Sequence, residues 1–165
     1  MEINSSIILI GMMGSGKSTI GKILSKKINI EFLDTDLLIE QQENKTCKEI
    51  FSENGERFFR SKELKLIAYL QTKKAIIATG GGFPIYHNNM DKLLKMGSTI
   101  YLKTAPEEIY NRISNQVNRP LLQGLEFLKK TLEKRESIYQ KAHKTLITDG
   151  KSFSQIIEEL LQAIG

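Results

Sequence analysis

The chain reads as an α/β fold built on a mostly parallel sheet. Short apolar runs alternate with helical patterns along its whole length, and no repeat or Pro/Gly/Ser-rich linker divides it. Glycine-rich and acidic motifs follow the apolar runs, where the strands of such folds place their ligands. A chain of 165 residues suits one domain, with a core that needs neither disulfide nor structural metal.

The elements follow in order. Ser6-Ile7-Ile8-Leu9-Ile10 is an apolar run ending at Gly11, as a strand buried on both faces would be. Ile20, Ile23, Leu24 and Ile28 then recur at helical spacing. Glu31–Asp34, Ala75–Ala78, Thr99–Leu102 and Thr145–Thr148 supply four more short strands. Between them, Thr104-Ala105-Pro106-Glu107 predicts a capping box with Pro in the first turn. Ser152 with Gln155 opens the last helix in the same manner. Its apolar stripe is Phe153, Ile156, Ile157, Leu160, Leu161 and Ile164.

Composition removes several classes. One cysteine, Cys47, forms neither an internal disulfide nor a thiolate cage, and is expected to be an inert thiol. The start, Met1-Glu2-Ile3-Asn4, lacks a basic n-region, and no apolar run is long enough to span a bilayer. The expectation is a cytoplasmic protein with no membrane partner. Net charge is +5, but the 19 Lys are scattered along the chain, so they read as solvated surface and no nucleic-acid partner is expected. The five Arg say more: in a chain this rich in Lys, each is expected for its planar fork.

The strongest motif is Gly11-Met12-Met13-Gly14-Ser15-Gly16-Lys17-Ser18, a P-loop between a strand and an amphipathic helix. Its glycines let successive N–H groups face phosphate oxygens, and the helix that follows adds its positive end. Lys17 can bridge the β- and γ-phosphates, and the Ser18 hydroxyl can ligate Mg²⁺. Met12 and Met13 carry no side-chain chemistry and are expected to pack. A dinucleotide fingerprint fails because Thr19 stands where its last glycine would be.

Three further pieces complete the pattern. Asp34-Thr35-Asp36 ends the second strand, where one carboxylate can reach toward a metal while the other meets a substrate hydroxyl, unless the motif is a helix N-cap, with Asp36 ahead of Leu37-Leu38-Ile39. Thr79-Gly80-Gly81-Gly82 ends the third and exposes backbone donors, unless it is a plain flexible loop. Among the arginines, Arg119 sits in the Pro- and Gly-bearing Asn118–Gly124, the form of a closing lid. Arg60 with Glu63, and Arg135 amid Glu133–Glu136, could each be no more than a solvated helix face. His87 and His143 show no partner pattern. Asn44-Lys45-Thr46-Cys47 lacks the Asp of a guanine-specificity box and follows no strand.

The whole chain resembles the shikimate kinases, small members of the nucleoside-monophosphate-kinase-like P-loop family. The matching pieces are Gly11–Thr19, Leu33-Asp34-Thr35-Asp36, Phe59-Arg60-Ser61-Lys62-Glu63, Gly80–Gly82, Arg119-Pro120-Leu121-Leu122, and Arg135 shortly before Tyr139. The resemblance implies a three-layer α/β/α kinase fold with a central five-stranded parallel sheet, functioning as a monomer. It implies transfer of phosphate from ATP, with Mg²⁺, to the 3-hydroxyl of shikimate, a step of chorismate and aromatic amino-acid synthesis. It assigns ATP to Gly14, Ser15, Gly16, Lys17, Ser18, Thr19, Arg112 and Arg119, with Arg112 along the adenine and residues 149–153 closing that pocket. Ser18 and Asp34 take the metal. Shikimate falls to Asp36, Arg60, Gly80, Gly81, Gly82 and Arg135, and catalysis to Lys17, Asp36 and Arg119. An acceptor-binding region spans about 36–63 and a lid about 112–124. The chain departs from the family in carrying Lys151 and Phe153 where an Arg is often found. A sister kinase for gluconate or a nucleotide stays open as an alternative, as does a GTPase-type switch, which the missing guanine box and the lid Arg disfavour.

Overall fold

The computed structural model describes residues 5–114 and 124–164. Among them, β1 (Ser6–Ile10), β2 (Phe32–Asp34), β3 (Ile76–Ala78), β4 (Gly97–Lys103) and β5 (Lys144–Ile147) form one parallel sheet in the order β2-β3-β1-β4-β5. The helices are α1 (Lys17–Ile28), α2 (Thr35–Glu43), α3 (Cys47–Leu70), α4 (Asn89–Met96), α5 (Pro106–Ser114), α6 (Leu125–Tyr139) and α7 (Phe153–Ile164).

The central strand explains the three layers. Side chains alternate across a strand, so β1 serves two cores. Ile7 and Leu9 pack with Ile20 and Leu24 of α1 and with Ile156, Ile157 and Leu160 of α7. Ile8 and Ile10 face the other way, into a core holding Ile39 of α2, Phe59 and Leu66 of α3, Leu93 of α4, Ile109 of α5 and Tyr139 of α6. Burying each such aliphatic side chain stabilises the fold by about 1.5–3 kcal/mol. No described helix is long and apolar enough to cross a membrane.

The order β2-β3-β1 does the positioning. These three strands are neighbours, so the segments leaving their carboxyl ends, at Asp34, Thr79 and Gly11, emerge side by side. Two backbone devices then aim the helices. Asn44 in the left-handed region (φ 50°) ends α2, and Thr46 opens α3 in a reciprocal capping box with Glu49. Within α3, Gly55 takes φ 78° and breaks the helix, and its second half, carrying Arg60 and Glu63, packs Phe59, Leu66 and Leu70 into the core that holds Ile8 and Ile77.

Two expectations about helix starts part company. Ser152 and Gln155 do reciprocate at the start of α7: the Ser152 N–H donates to Gln155 Oε1 at 2.9 Å and the Gln155 N–H to Ser152 Oγ at 3.3 Å. Thr104 does not cap α5. Its hydroxyl lies 2.6 Å from that of Thr148, tying the end of β4 to the end of β5. The first helical bond runs instead from Ile109 N–H to Ala105 O, and the Ala105 N–H donates to Asp149 Oδ1. A long-range pair has outcompeted the local motif. Phe153, expected in the α7 core stripe, is 46% exposed and lines a cavity at the P-loop.

Candidate active site

The P-loop connects β1 to α1. Gly14 (φ 76°) and Gly16 (φ 92°) hold backbone conformations that side-chain-bearing residues rarely adopt, and Gly16 is the residue preceding α1. Lys17, the first residue of α1, is buried and curls back over its own loop. Its Nζ donates to Gly11 O at 2.9 Å, Met12 O at 2.6 Å and Ser15 Oγ at 3.4 Å. Burial pulls its pKa down to about 8, against the attraction of Asp36 and Asp34. The loop, the helix end and this ammonium together suit anionic oxygens.

A cavity of about 540 Å³ adjoins the loop, lined by Gly14, Gly16, Lys17, Ser18, Thr19, Arg112, Ile113 and Phe153. Arg112 is braced by Glu108 at 2.8 Å on the same helix. Of the loop at 149–153, Asp149 bonds Ala105 and Lys151 bonds Glu159, leaving the Phe153 ring to face the cavity. Met12 is buried as expected, but Met13 is 40% exposed. It stands at the loop's tip, beside Gly81 rather than in the core.

The cap of α2 is Asp34 rather than the expected Asp36, and Asp34 uses both its oxygens. Oδ1 accepts the N–H groups of Asp36 (3.0 Å) and Leu37 (3.3 Å) at the start of α2. Oδ2 accepts the Ser18 hydroxyl at 2.6 Å, so a hydroxyl and a carboxylate stand together beside the P-loop. Asp36 occupies the first turn of α2. Burial, reinforced by the Asp34 charge and opposed by Lys17, pushes its pKa up to about 6.

The triglycine segment lies against three charged side chains at once. A Cβ on Gly80 would overlap Asp36 Oδ1. One on Gly81 would lie 3.1 Å from Arg135 Nη1, and one on Gly82 would lie 2.5 Å from both terminal nitrogens of Arg60. A side chain at 80 or 82 would thus force Asp36 or the held Arg60 fork to move, while one at 81 would need Arg135 to give by a few tenths of an ångström.

Arg57 is exposed, against the expectation that each Arg serves as a fork, but Arg60 and Arg135 are not surface decoration. Arg60 is buried, its Nη1 donating to buried Glu63 at 2.9 Å and its Nε and Nη2 to Glu56 Oε1 at 3.2 and 2.9 Å. Its guanidinium carbon stacks 4.2 Å from the centre of the Tyr86 ring, whose hydroxyl also donates to Glu56. Burial raises the Glu63 pKa to about 7 despite Arg60 beside it. Glu63 Oε1 and Arg135 Nη1 are buried without a hydrogen-bond partner among the described residues. Buried polar atoms of this kind are ordinarily met by a water, an ion or a ligand. Arg119 lies outside the described residues, as does most of the expected lid.

Residues 13–165 match the family model described as shikimate kinase. The chain is 41% identical to a shikimate kinase of Sulfurihydrogenibium sp. (strain YO3AOP1) over 96% of this chain and 97% of that one.

The chain belongs to the shikimate kinase family.

Members of that family are phosphotransferases with an alcohol group as acceptor. A shikimate kinase of Clostridium botulinum (strain Loch Maree / Type A3) is 48% identical over 84% of each chain. Among solved structures, the shikimate kinase of Acinetobacter baumannii in complex with shikimate superposes with a TM-score of 0.89 at 35% identity, covering 97% of this chain and 92% of that one. A gluconokinase of Sinorhizobium meliloti 1021 shares the fold at a TM-score of 0.68, but at 15% identity.

Set beside the shikimate kinase pattern, sequence reasoning missed the groups that hold the site in place. Glu56 and Tyr86 carry no local motif, and only the fold brings them to Arg60. His143, expected to lack a partner, accepts the Thr99 N–H at Nδ1, 3.1 Å away, just ahead of where the β4–β5 ladder begins. Burial raises the Cys47 thiol's pKa, consistent with an inert side chain.

Proposed function

We propose that the protein transfers the γ-phosphoryl group of ATP to the 3-hydroxyl of shikimate, giving shikimate 3-phosphate and ADP, a step in aromatic amino-acid biosynthesis in the cytoplasm. The observation that carries this reading is the acceptor side of the cleft. Two arginine forks, Arg60 and Arg135, meet the Gly81–Gly82 backbone beside the Asp36 carboxylate. A small acid bearing several hydroxyls needs that set, whereas a neutral polyol would not require two guanidinium groups.

The roles follow from charge and reach. Lys17 exchanges its loop carbonyls for the β- and γ-phosphate oxygens, and the P-loop N–H groups hold the rest of the triphosphate. Arg112 and Phe153 flank the base. Arg119 comes to the phosphates on the resemblance alone, from a lid over 112–124. Arg60 and Arg135 take the carboxylate, within an acceptor region over about 36–63. Asp36 accepts the hydrogen bond of the attacking hydroxyl and is the carboxylate placed to receive its proton as the β–γ bridge oxygen leaves. Its pKa near 6 suits that task at neutral pH.

Mg²⁺ fits the chain. Ser18 Oγ and Asp34 Oδ2 are hard oxygen donors 2.6 Å apart beside the phosphate site, and Mg²⁺ characteristically takes few protein ligands, completing its shell with water and phosphate. When bound, it would neutralise charge on the transferring phosphate.

The deciding experiment is a panel of shikimate, quinate, gluconate and nucleoside monophosphates, assayed for ADP release with ATP and Mg²⁺. Turnover on shikimate is expected. Turnover on gluconate without shikimate would overturn the reading. A second expectation concerns the fork: Arg60→Lys keeps the charge but loses the double contact to Glu56 and the stacking on Tyr86. It should raise the shikimate KM by about tenfold while moving the ATP KM less than about twofold. Equal effects on both would remove Arg60 from the acceptor side.

A further inference from the structure

We infer that Tyr139 is a positioning residue for the acceptor's carboxylate: its buried hydroxyl pins the Gly81 carbonyl and thereby fixes the orientation of the Gly81–Gly82 peptide, whose Gly82 end lies against Arg60. The inference rests on the shikimate reading above and concerns how that site is held in shape.

Tyr139 ends α6 and is fully buried, its ring stacked on Tyr101 with centroids 5.1 Å apart. Packing alone would be served by Phe. The hydroxyl, however, donates to Gly81 O at 2.6 Å, across 58 residues of sequence. Burial raises its pKa, so it remains a donor across the neutral range. That carbonyl is its short contact; the hydroxyl also lies 3.9 Å from Met12 Sδ and beside the Arg135 guanidinium.

The rest of that segment is held in other ways. The Gly80 N–H donates to Thr35 Oγ1 at 2.8 Å, Gly80 O accepts the Phe83 N–H, and Gly82 O accepts the Ile85 N–H. Among the described residues, the Gly81 carbonyl is held by Tyr139 alone. The Gly81–Gly82 peptide is trans, so its carbonyl and N–H point in opposite directions. Fixing the carbonyl on the α6 side therefore sends the Gly82 N–H away from α6. Flanked by two residues without Cβ, this peptide has little intrinsic resistance to flipping, and the hydroxyl supplies it.

Arg135 completes the arrangement. It lies one turn before Tyr139, on the same face of α6, and its Nη1 closes on Gly81 while Tyr139 takes the carbonyl. One helix thus grips one glycine at two points. The guanidinium and the peptide it must cooperate with are set by the same rigid element.

Tyr139→Phe is the test, with Tyr101→Phe as control, because Tyr101 spends its hydroxyl on Glu136 of α6 without touching the triglycine segment. Shikimate and its neutral methyl ester are titrated against each variant, with KM and kcat measured for both substrates and a thermal melt on each protein. Tyr139→Phe should weaken shikimate by about tenfold, the scale of a lost hydrogen bond to a charged group. It should leave the ATP KM and kcat within about twofold and the already weak ester binding unchanged. Equal loss for acid and ester, the same loss from Tyr101→Phe, or no loss at all would each overturn the assignment. A wild type that ignores shikimate fails before any variant is made, and would remove the substrate reading itself.

Discussion

Lys17→Met should reduce kcat by about a thousandfold or more, the loss typical of removing a principal electrostatic donor from a phosphoryl-transfer site. Transfer of a phosphoryl group demands alignment and charge neutralisation more than covalent help, and Lys17 is the buried cation at the head of the P-loop. Met matches the length of the lysine stem and suits a buried position, so the fold should survive. Stability supplies an independent check. Burial lowers the folded-state pKa from 10.5 to about 8, so between those values the unfolded chain binds a proton that the folded one has released. The wild type should therefore gain stability as pH rises from about 8 to 10.5, and Lys17→Met should lack that gain. Thermal melts of the nucleotide-free protein at the two ends of this window read the difference. A variant with wild-type kcat would remove Lys17 from catalysis.

Asp36→Asn should lower kcat by about 10²–10⁴-fold with little change in the ATP KM, the range for losing a positioned general base. Asn keeps the volume of Asp, so the close approach to Gly80 is preserved and only the charge is lost. The pH dependence identifies the group. Buried beside Asp34, Asp36 ionises at about pH 6, and its protonated form cannot accept the hydroxyl's proton. In the wild type, kcat/KM for the acceptor should fall on the acid side with a midpoint near 6. In Asp36→Asn that limb should disappear, leaving a low and flatter profile. An acid limb retained unchanged in the variant would assign it to another group.

How much of this could be read from the chain depends on how local each cause is. The P-loop was legible because its glycine spacing is a backbone requirement written into consecutive residues. The strands were legible because apolar runs such as Ile7–Ile10 have no other use in a polar chain. Asp34 was legible as a metal partner, but the cap was expected at Asp36; that Asp34 caps α2 with one oxygen and meets Ser18, sixteen residues earlier, with the other shows only in the fold. Thr104 misled because a local motif competes with Thr148, which no window around residue 104 contains. Arg60 was the hardest of the named residues: its i,i+3 pairing with Glu63 looks the same in sequence whether exposed or buried. Only the packing of α3 over the sheet turns an ordinary surface pair into a buried one, and only then do Glu56 and Tyr86 come into view. Tyr139 was visible as a landmark after Arg135, and its bond to Gly81 was not.

The three glycines also constrain how this protein can change over generations. Gly80, Gly81 and Gly82 are each matched to one bulky charged neighbour, Asp36, Arg135 and Arg60. A side chain gained at Gly80 or Gly82 is tolerable only once its own partner has moved or become smaller, one at Gly81 only if Arg135 gives by a few tenths of an ångström, and each partner is itself needed. Substitutions here are therefore coupled in pairs: either change alone is deleterious, and their order matters. Among descendants, the triglycine and its three partners should be kept or exchanged together. A lineage that adopted a different acceptor would show the traces at these paired positions before anywhere in the P-loop.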